Sequence, residues 1–274
     1  MVVGEISHKR NLIIIGGGPG GYSAAIRGAQ LGLSVTIIEQ KNLGGVCLNE
    51  GCIPSKVYTF AGSKRSELDQ LAMIGIETVG RDIDLHKLQD YQKTVIGQLK
   101  SGVEKLCLAN KVEIVQGKAT FIAKHKIGVE NGHQFDMYEF DQIIIATGSR
   151  NILPSYITSK GPYVLYPFEL FQLSILPEHI IIDGQDYIAI EAASSFAALG
   201  TEVTLIIESD TGLPFDEAIN KELLRIFKKR KIKVIEKKET IGIKEDLNGI
   251  SVTVLTNQHK EVTMEASYFV VPEL

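Results

Sequence analysis

The sequence predicts an α/β fold in two successive units of one design. Two observations carry this. Residues 11–15 and 34–39 are short apolar runs flanking a glycine turn and an Ala-rich stretch, the pattern of a βαβ unit in a parallel sheet. The same order of strand, turn, helix, strand and acid returns over residues 180–208. The 274 residues suffice for two domains of ordinary size. We place them at 1–151 and 152–274, with the joint near residues 150–155.

In order, residues 11–15 read as a buried strand, 16–21 as a turn and 22–31 as a helix that Gly32 ends. Residues 34–39 form the second strand. Residues 44–56 read as a loop dense in Gly, Cys and Pro, and a helix follows from about 56 to 71. Over residues 84–108, Leu85, Leu88, Tyr91, Val95, Leu99, Val103 and Leu106 recur at steps of three or four, which predicts a long helix with one apolar face. Short strands follow over 112–140, then a buried strand over 142–147 that stops at Gly148. In the second unit, 180–182 is a strand, 184–189 a turn, 190–199 a helix ended by Gly200, and 202–207 a strand followed by Glu208. The basic run at residues 228–231 suits a helix C-terminus, where cations meet the negative end of the dipole.

Apolar residues make up 44% and charged residues 23% of the chain, a globular composition. The net charge of -4 gives no positive field to attract nucleic acid. No apolar run approaches the roughly 18–20 residues needed to span a bilayer. Residues 1–10 lack the organisation of a signal peptide, so the expected compartment is the cytoplasm, with no nucleic-acid or membrane partner.

Gly16, Gly18 and Gly21 form a G-x-G-x-x-G turn between a strand and a helix. Gly16 permits the tight turn, Gly18 lets backbone approach a pyrophosphate, and Gly21 lets the helix pack on the strand. The helix start offers unpaired N–H groups and partial positive charge to phosphates. Glu39 follows Gly18 by 21 residues, where an acid can hold ribose hydroxyls. A βαβ turn that binds nothing is the alternative.

The most specific stretch is Gly44-Gly45-Val46-Cys47-Leu48-Asn49-Glu50-Gly51-Cys52-Ile53-Pro54-Ser55-Lys56. Two cysteines five positions apart can close a small disulfide ring at a helix start, where thiolates are favoured. Two separate thiols or half a zinc site are the alternatives. Zinc needs two more ligands, and neither a C-x-x-C nor a His pair lies nearby, so no metal site is expected.

This stretch, with the opening βαβ, resembles the class I pyridine nucleotide–disulfide oxidoreductases. Within them it is most similar to the dihydrolipoamide dehydrogenases, whose signature reads close to GG-T/V-CLN-x-GCIPSK. Residues Ala146-Thr147-Gly148-Ser149 resemble the family's ATG segment near the flavin. The resemblance covers essentially the whole chain. It implies two Rossmann-like domains, FAD and NAD as cofactors, and a lipoyl domain of a 2-oxo acid dehydrogenase complex as partner. It implies that Cys47 is the interchange thiol, Cys52 the thiol beside the flavin, Lys56 the lysine near flavin N5, and Glu191 the glutamate paired with that lysine. Gly16, Gly18, Gly21 and Glu39 would hold the adenosine half of FAD, and Ala146, Thr147 and Gly148 would pass near its ring.

Three departures qualify the resemblance. Glu50 puts a carboxylate where the family usually has an apolar residue; facing the thiols, it opposes thiolate formation. The family's GGGYIGxE, which holds NAD, is here Gly184-Gln185-Asp186-Tyr187-Ile188-Ala189-Ile190-Glu191. Gly184 is kept and Ala189 is tolerable, but Asp186 sets a negative charge where backbone meets pyrophosphate. Two like charges about 4 Å apart oppose each other by about 4 kcal/mol at an effective dielectric near 20, roughly a thousandfold in affinity. Glu208 is placed for a ribose 2′-hydroxyl, which favours NAD over NADP. The unit therefore reads either as a weak NAD site or as a fold without one. The third departure is length. Family members add a second flavin segment and a dimerisation domain with a His-Pro base, and none of His8, His86, His125, His133, His179 and His259 precedes a proline. The expectation is an incomplete first domain, no dimerisation domain, an exposed sheet surface, weakened FAD binding, low turnover and an unsettled oligomeric state. An inactive nucleotide-binding remnant or one half of a split enzyme is the alternative to an impaired enzyme.

Overall fold

The computed structural model describes residues 7–76 and 82–272. By compactness the chain divides into Met1–Pro54 with Gln92–Ser149, and Ser55–Tyr91 with Arg150–Leu274. Residues 55–91 thus go with the second unit, although they precede the end of the first in sequence.

The first unit contains β1 (Ser7–Ile15), α1 (Pro19–Gln30), β2 (Val35–Glu39), the short α2 (Gly45–Asn49), β3 (Glu113–Gln116), β4 (Lys118–Ala123), β5 (Lys126–Asn131) and β6 (Gln134–Ile145). Its sheet runs β3-β2-β1-β6-β5-β4. The first four strands are parallel and the last three form an antiparallel meander. Two layers cover the parallel part. Leu12, Ile14, Val35 and Ile37 pack with Ala25 of α1 and with Cys107, whereas Ile13 and Ile38 pack with Ile127, Val129 and Tyr138 of the meander. Alternation along each strand sends neighbours to opposite faces, so a continuous apolar run is what a sheet covered on both sides requires.

The second unit contains β7 (Val164–Leu165), a 3-10 turn (Pro167–Gln172), β8 (His179–Asp183), α5 (Tyr187–Leu199), β9 (Glu202–Glu208), α6 (Glu217–Lys229), β10 (Lys233–Glu245), β11 (Ile250–Thr256), β12 (Glu261–Ala266) and β13 (Tyr268–Val270). Its sheet runs β12-β11-β10-β9-β8-β13-β7, antiparallel over the first three strands and parallel thereafter. Ile180, Ile182 and Leu205 face Phe196 of α5, while Ile181, Ile206 and Phe269 face Val252 and Val254. Lys228 and Lys229 do fall in the last turn of α6.

Two further helices, α3 (Cys52–Met73) and α4 (Leu85–Ala109), each begin in one unit and end in the other. Tyr58 of α3 stacks on Phe196 at 5.6 Å and meets Phe171 edge-on at 5.1 Å, and all three rings are buried. Burial raises the Tyr58 phenol to about 12, against a smaller opposing effect of Gln89.

Two sequence expectations need correction. Residues 44–56 are not a loop: α2 forms there and α3 begins at Cys52, because Asn49 Nδ2 ties back to the carbonyls of Gly45 and Leu43 at 2.8 and 3.1 Å. The turn assigned to 184–189 is shorter, since α5 starts at Tyr187. On α4, Leu85, Gln92 and Cys107 are buried, but Tyr91, Leu99 and Leu106 are exposed. The apolar arc is wider than the surface that covers it. The His179 ring bridges Thr204 Oγ1 at 2.9 Å and the Glu265 carbonyl at 2.7 Å.

Strand β6 is paired on one side by β1 along residues 142–145, but β5 reaches only residues 134–139 on the other. Among the described residues no strand borders the outer edge of 142–145, and Ile145 is 64% exposed. No helix among the described residues is long and apolar enough to cross a membrane.

The buried Tyr58 has a pH signature. Its folded-state value lies above the usual one near 10, so the unfolded chain ionises first and stability falls as pH rises from about 10 towards about 12. Tyr58→Phe should lose the part of this alkaline decline that belongs to Tyr58, measured as urea unfolding free energy against pH. Identical alkaline slopes in the two proteins would refute the assignment.

Candidate functional site

In the first unit the glycine turn is shaped by contact with the end of β6. Gly16 has φ +107°, and a Cβ there would collide with the Ala146 carbonyl. A Cβ on Gly21 would collide with the Gly16 carbonyl. The predicted segment Ala146-Thr147-Gly148 therefore lies directly beside the predicted turn. Ala146 N–H donates to the Ile15 carbonyl at 2.8 Å, which fixes this juxtaposition. Gly18 N-caps α1 with extended backbone and makes no side-chain cap hydrogen bond. The amides at the start of α1 are thus left to a ligand or to water.

Glu39 closes β2 and is buried. It accepts from Gly17 N–H at 2.6 Å and from Lys41 N–H at 2.7 Å. The carboxylate braces the turn as well as standing where the sequence places a ribose acid. Gly18 also faces the redox segment, since a Cβ on Gly45 would come within 2.7 Å of its Cα. Cys47 lies half-buried in α2, and Cys52 is exposed at the first residue of α3. Glu50, half-buried, is the C-cap of α2.

In the second unit the same layout has a different ending. Asp186 N-caps α5, and its Oδ1 accepts from Ile188 N–H at 2.8 Å and Ala189 N–H at 2.9 Å. The charge read from sequence as a repulsion is also a plug on the amides themselves. Gln185 spans the turn, accepting from Glu208 N–H at 2.9 Å and donating to Thr211 Oγ1 at 2.7 Å. Glu208 is half-exposed at the end of β9, as the ribose reading requires, but its Oε1 lies 3.2 Å from Lys237 Nζ. Lys237 also binds Asp183 Oδ2 at 2.6 Å, and both side chains are almost wholly buried. Tyr156 donates its hydroxyl to the same Asp183 oxygen at 2.7 Å. Burial, then the Asp183 charge, pushes the Tyr156 phenol far up, so it stays a donor.

Sequence reasoning missed Lys237, Asp183, Tyr156 and Gln185. Lys237 lies 54 residues from Asp183, and only the strand order reveals that it pairs in register with Glu208. Lys56 and Glu191 are not joined as the resemblance implies. Glu191 instead accepts from Ser55 Oγ at 2.7 Å. Ser55 is on the buried face of α3 and Lys56 on the exposed one.

A parallel βαβ unit with an uncapped glycine turn, followed by two cysteines around a helix start, defines a dinucleotide-binding α/β protein with a redox-cysteine motif. Comparison narrows this class. The family model for pyridine nucleotide-disulphide oxidoreductases matches residues 10–271, and the chain belongs to that flavin-dependent family. The dihydrolipoyl dehydrogenase of Geobacillus stearothermophilus is 37% identical over 273 residues, and that of Bacillus subtilis 35% over 274. Each alignment covers 99% of this chain but 57% and 58% of the relative. The chain thus spans a little over half the length of these relatives. Among solved structures, LpdA from Mycobacterium tuberculosis superposes with a TM-score of 0.83 at 26% identity, covering 95% of this chain and 58% of that one. The HOCl-induced flavoprotein disulfide reductase RclA from Escherichia coli gives 0.78 at 25%, covering 95% and 55%.

The capping role of Asp186 separates two substitutions. Asp186→Ala should destabilise the protein by about 1 kcal/mol, and Asp186→Gly by only a few tenths, read by urea unfolding. Equal losses would argue against a cap. Lys237→Met should cost about 3–5 kcal/mol by stranding Asp183. Adding Asp183→Asn should return part of that loss, and purely additive losses would count against the pair.

Proposed function

We propose that this chain carries out dithiol–disulfide exchange through Cys47 and Cys52, with FAD held at the first glycine turn. The uncapped start of α1 supports the cofactor assignment. The residues present fit the group: Gly16, Gly18 and Gly21 leave a cradle that side chains would fill, the α1 amides meet the pyrophosphate, and Glu39 stands at the ribose. Ala146, Thr147 and Gly148 border the turn. FAD, when bound, supplies a two-electron acceptor for the cysteine pair.

The protein's own chemistry is exchange at sulfur. In the oxidised form Cys47 and Cys52 share a disulfide. A substrate thiolate attacks Cys47 Sγ, and Cys52 leaves as thiolate with the electron pair of the broken S–S bond. The second substrate thiolate then displaces Cys47, closing the substrate disulfide. Two electrons have passed to the cysteine pair, and the two substrate protons end on the cysteines or in solvent. Lys56, one turn beyond Cys52 on α3, sets a positive charge near the departing thiolate. The names of the relatives support a dihydrolipoyl group as the dithiol; a lipoyl domain of a 2-oxo acid dehydrogenase complex as its carrier follows from the family resemblance alone.

NAD does not fit the second unit on this reading. Asp186 holds the amides that would meet pyrophosphate, and Glu208 already has a cationic partner. Of the motif's three small-residue positions, Gly184 is kept and Ala189 is tolerated, and Asp186 is the one that does not suit the cofactor. Turnover with NAD is therefore low. A second reading, one half of a split enzyme, is favoured by the unbordered edge of β6 at residues 142–145.

Purified chain mixed with FAD and then desalted should retain the flavin band, and dithiothreitol should add a long-wavelength shoulder that Cys52→Ser abolishes. A protein that keeps no flavin would sink the cofactor assignment; a shoulder that survives Cys52→Ser would sink the role of that thiol. Titration with NADH should show no saturation in the micromolar range, and saturation there would overturn the closed reading of the second unit.

A further inference from the structure

We propose that the second crevice is closed at two separate ends, by Asp186 against phosphate and by Lys237 against ribose, which makes Lys237 a specificity-determining residue. This rests on the closed reading of that unit and goes beyond the charge of Asp186.

The two closures use different chemistry. At one end an acceptor is supplied: Asp186 Oδ1 takes both Ile188 and Ala189 N–H, the donors a pyrophosphate would need. At the other end an acceptor is consumed. A ribose diol donates to a carboxylate, and Glu208 has one oxygen committed to the Lys237 ammonium. A diol takes both oxygens of a carboxylate; with Oε1 on the ammonium only one is left to it, and the adjacent positive charge makes that oxygen a weaker acceptor.

Lys237 cannot swing aside. Its side chain is 4% exposed, its ammonium is bound to Asp183 Oδ2 and to Thr240 Oγ1, and it lies 5.5 Å from the centre of the Tyr156 ring. Its backbone is fixed by the β9–β10 register opposite Glu208. Gln185 completes the enclosure by bridging the turn to Glu208 N–H and Thr211. A groove of about 230 Å³ remains among Gly184, Gln185, Asp186, Ile206, Glu208 and Pro214.

Because the ends are chemically independent, fragments of the dinucleotide report on them separately. Wild type, Asp186→Gly, Lys237→Gln and the double variant are titrated with inorganic pyrophosphate, adenosine and NADH, with ligand-observed NMR for the weak fragments. Pyrophosphate binding should strengthen at least about tenfold with Asp186→Gly and not with Lys237→Gln, and adenosine should show the reverse. NADH should bind the double variant about tenfold more tightly than either single variant and about a hundredfold more tightly than wild type, the additive result that independent ends require. Thermal unfolding confirms that each variant is folded, and Asp183→Asn with Lys237→Gln replaces the single lysine change if that change alone unfolds the protein. NADH binding to Asp186→Gly as tightly as to the double variant would overturn the proposal, as would a folded double variant that binds none of the three probes. Micromolar NADH binding by wild type would instead overturn the closed reading on which the proposal stands.

Discussion

Every helix begins with backbone N–H groups that have no partner within the helix, and a parallel βαβ unit aims those groups at the carboxyl end of its sheet. What meets them decides what each half of this protein can do. At α1 the chain offers Gly18, which has no side chain to offer. At α5 it offers Asp186, whose carboxylate takes two amides at hydrogen-bonding distance. The strands, the turn and the trailing acid are otherwise alike in layout. One residue at the turn thus separates a receptive helix start from a satisfied one.

The rest of the second unit is consistent with that choice. A carboxylate at the turn leaves Glu208 and Asp183 near a third negative charge, and Lys237 neutralises two of the three from within. A buried ion pair of this kind is weak evidence for added stability, but breaking it is costly. The lysine, the tyrosine hydroxyl on Asp183 and the glutamine bridge satisfy the polar groups at this end of the sheet. The first unit has the opposite character: Glu39 supports the turn from behind through Gly17, and the amides remain unclaimed by any side chain.

Much of this was legible in the sequence because the signals are local. The two βαβ units and the strand runs follow from spacing and glycine placement, whereas the direct contact of Gly16 with the Ala146 segment is a finding of the structure. Three things were not legible. Asp186 was read through its charge alone, since capping depends on a backbone geometry that charge does not reveal. Lys237 became relevant only through the pairing of β10 with β9, a fact about strand order. How far the α4 stripe is covered was not legible, because periodicity says which residues share a face and not how much of that face is buried. The carry-over from relatives failed at one contact, where Ser55 rather than Lys56 reaches Glu191, because a helix turns about 100° per residue and neighbours cannot share a face.

The self-capped α5 also changes how the protein responds to its surroundings. A group that binds only the folded state adds stability in proportion to its concentration and affinity. At α1, where no side chain takes the amides, an anion bound by the folded chain would add stability in this way. At α5 the Asp186 carboxylate belongs to the chain itself, so its contribution is present at any ligand concentration.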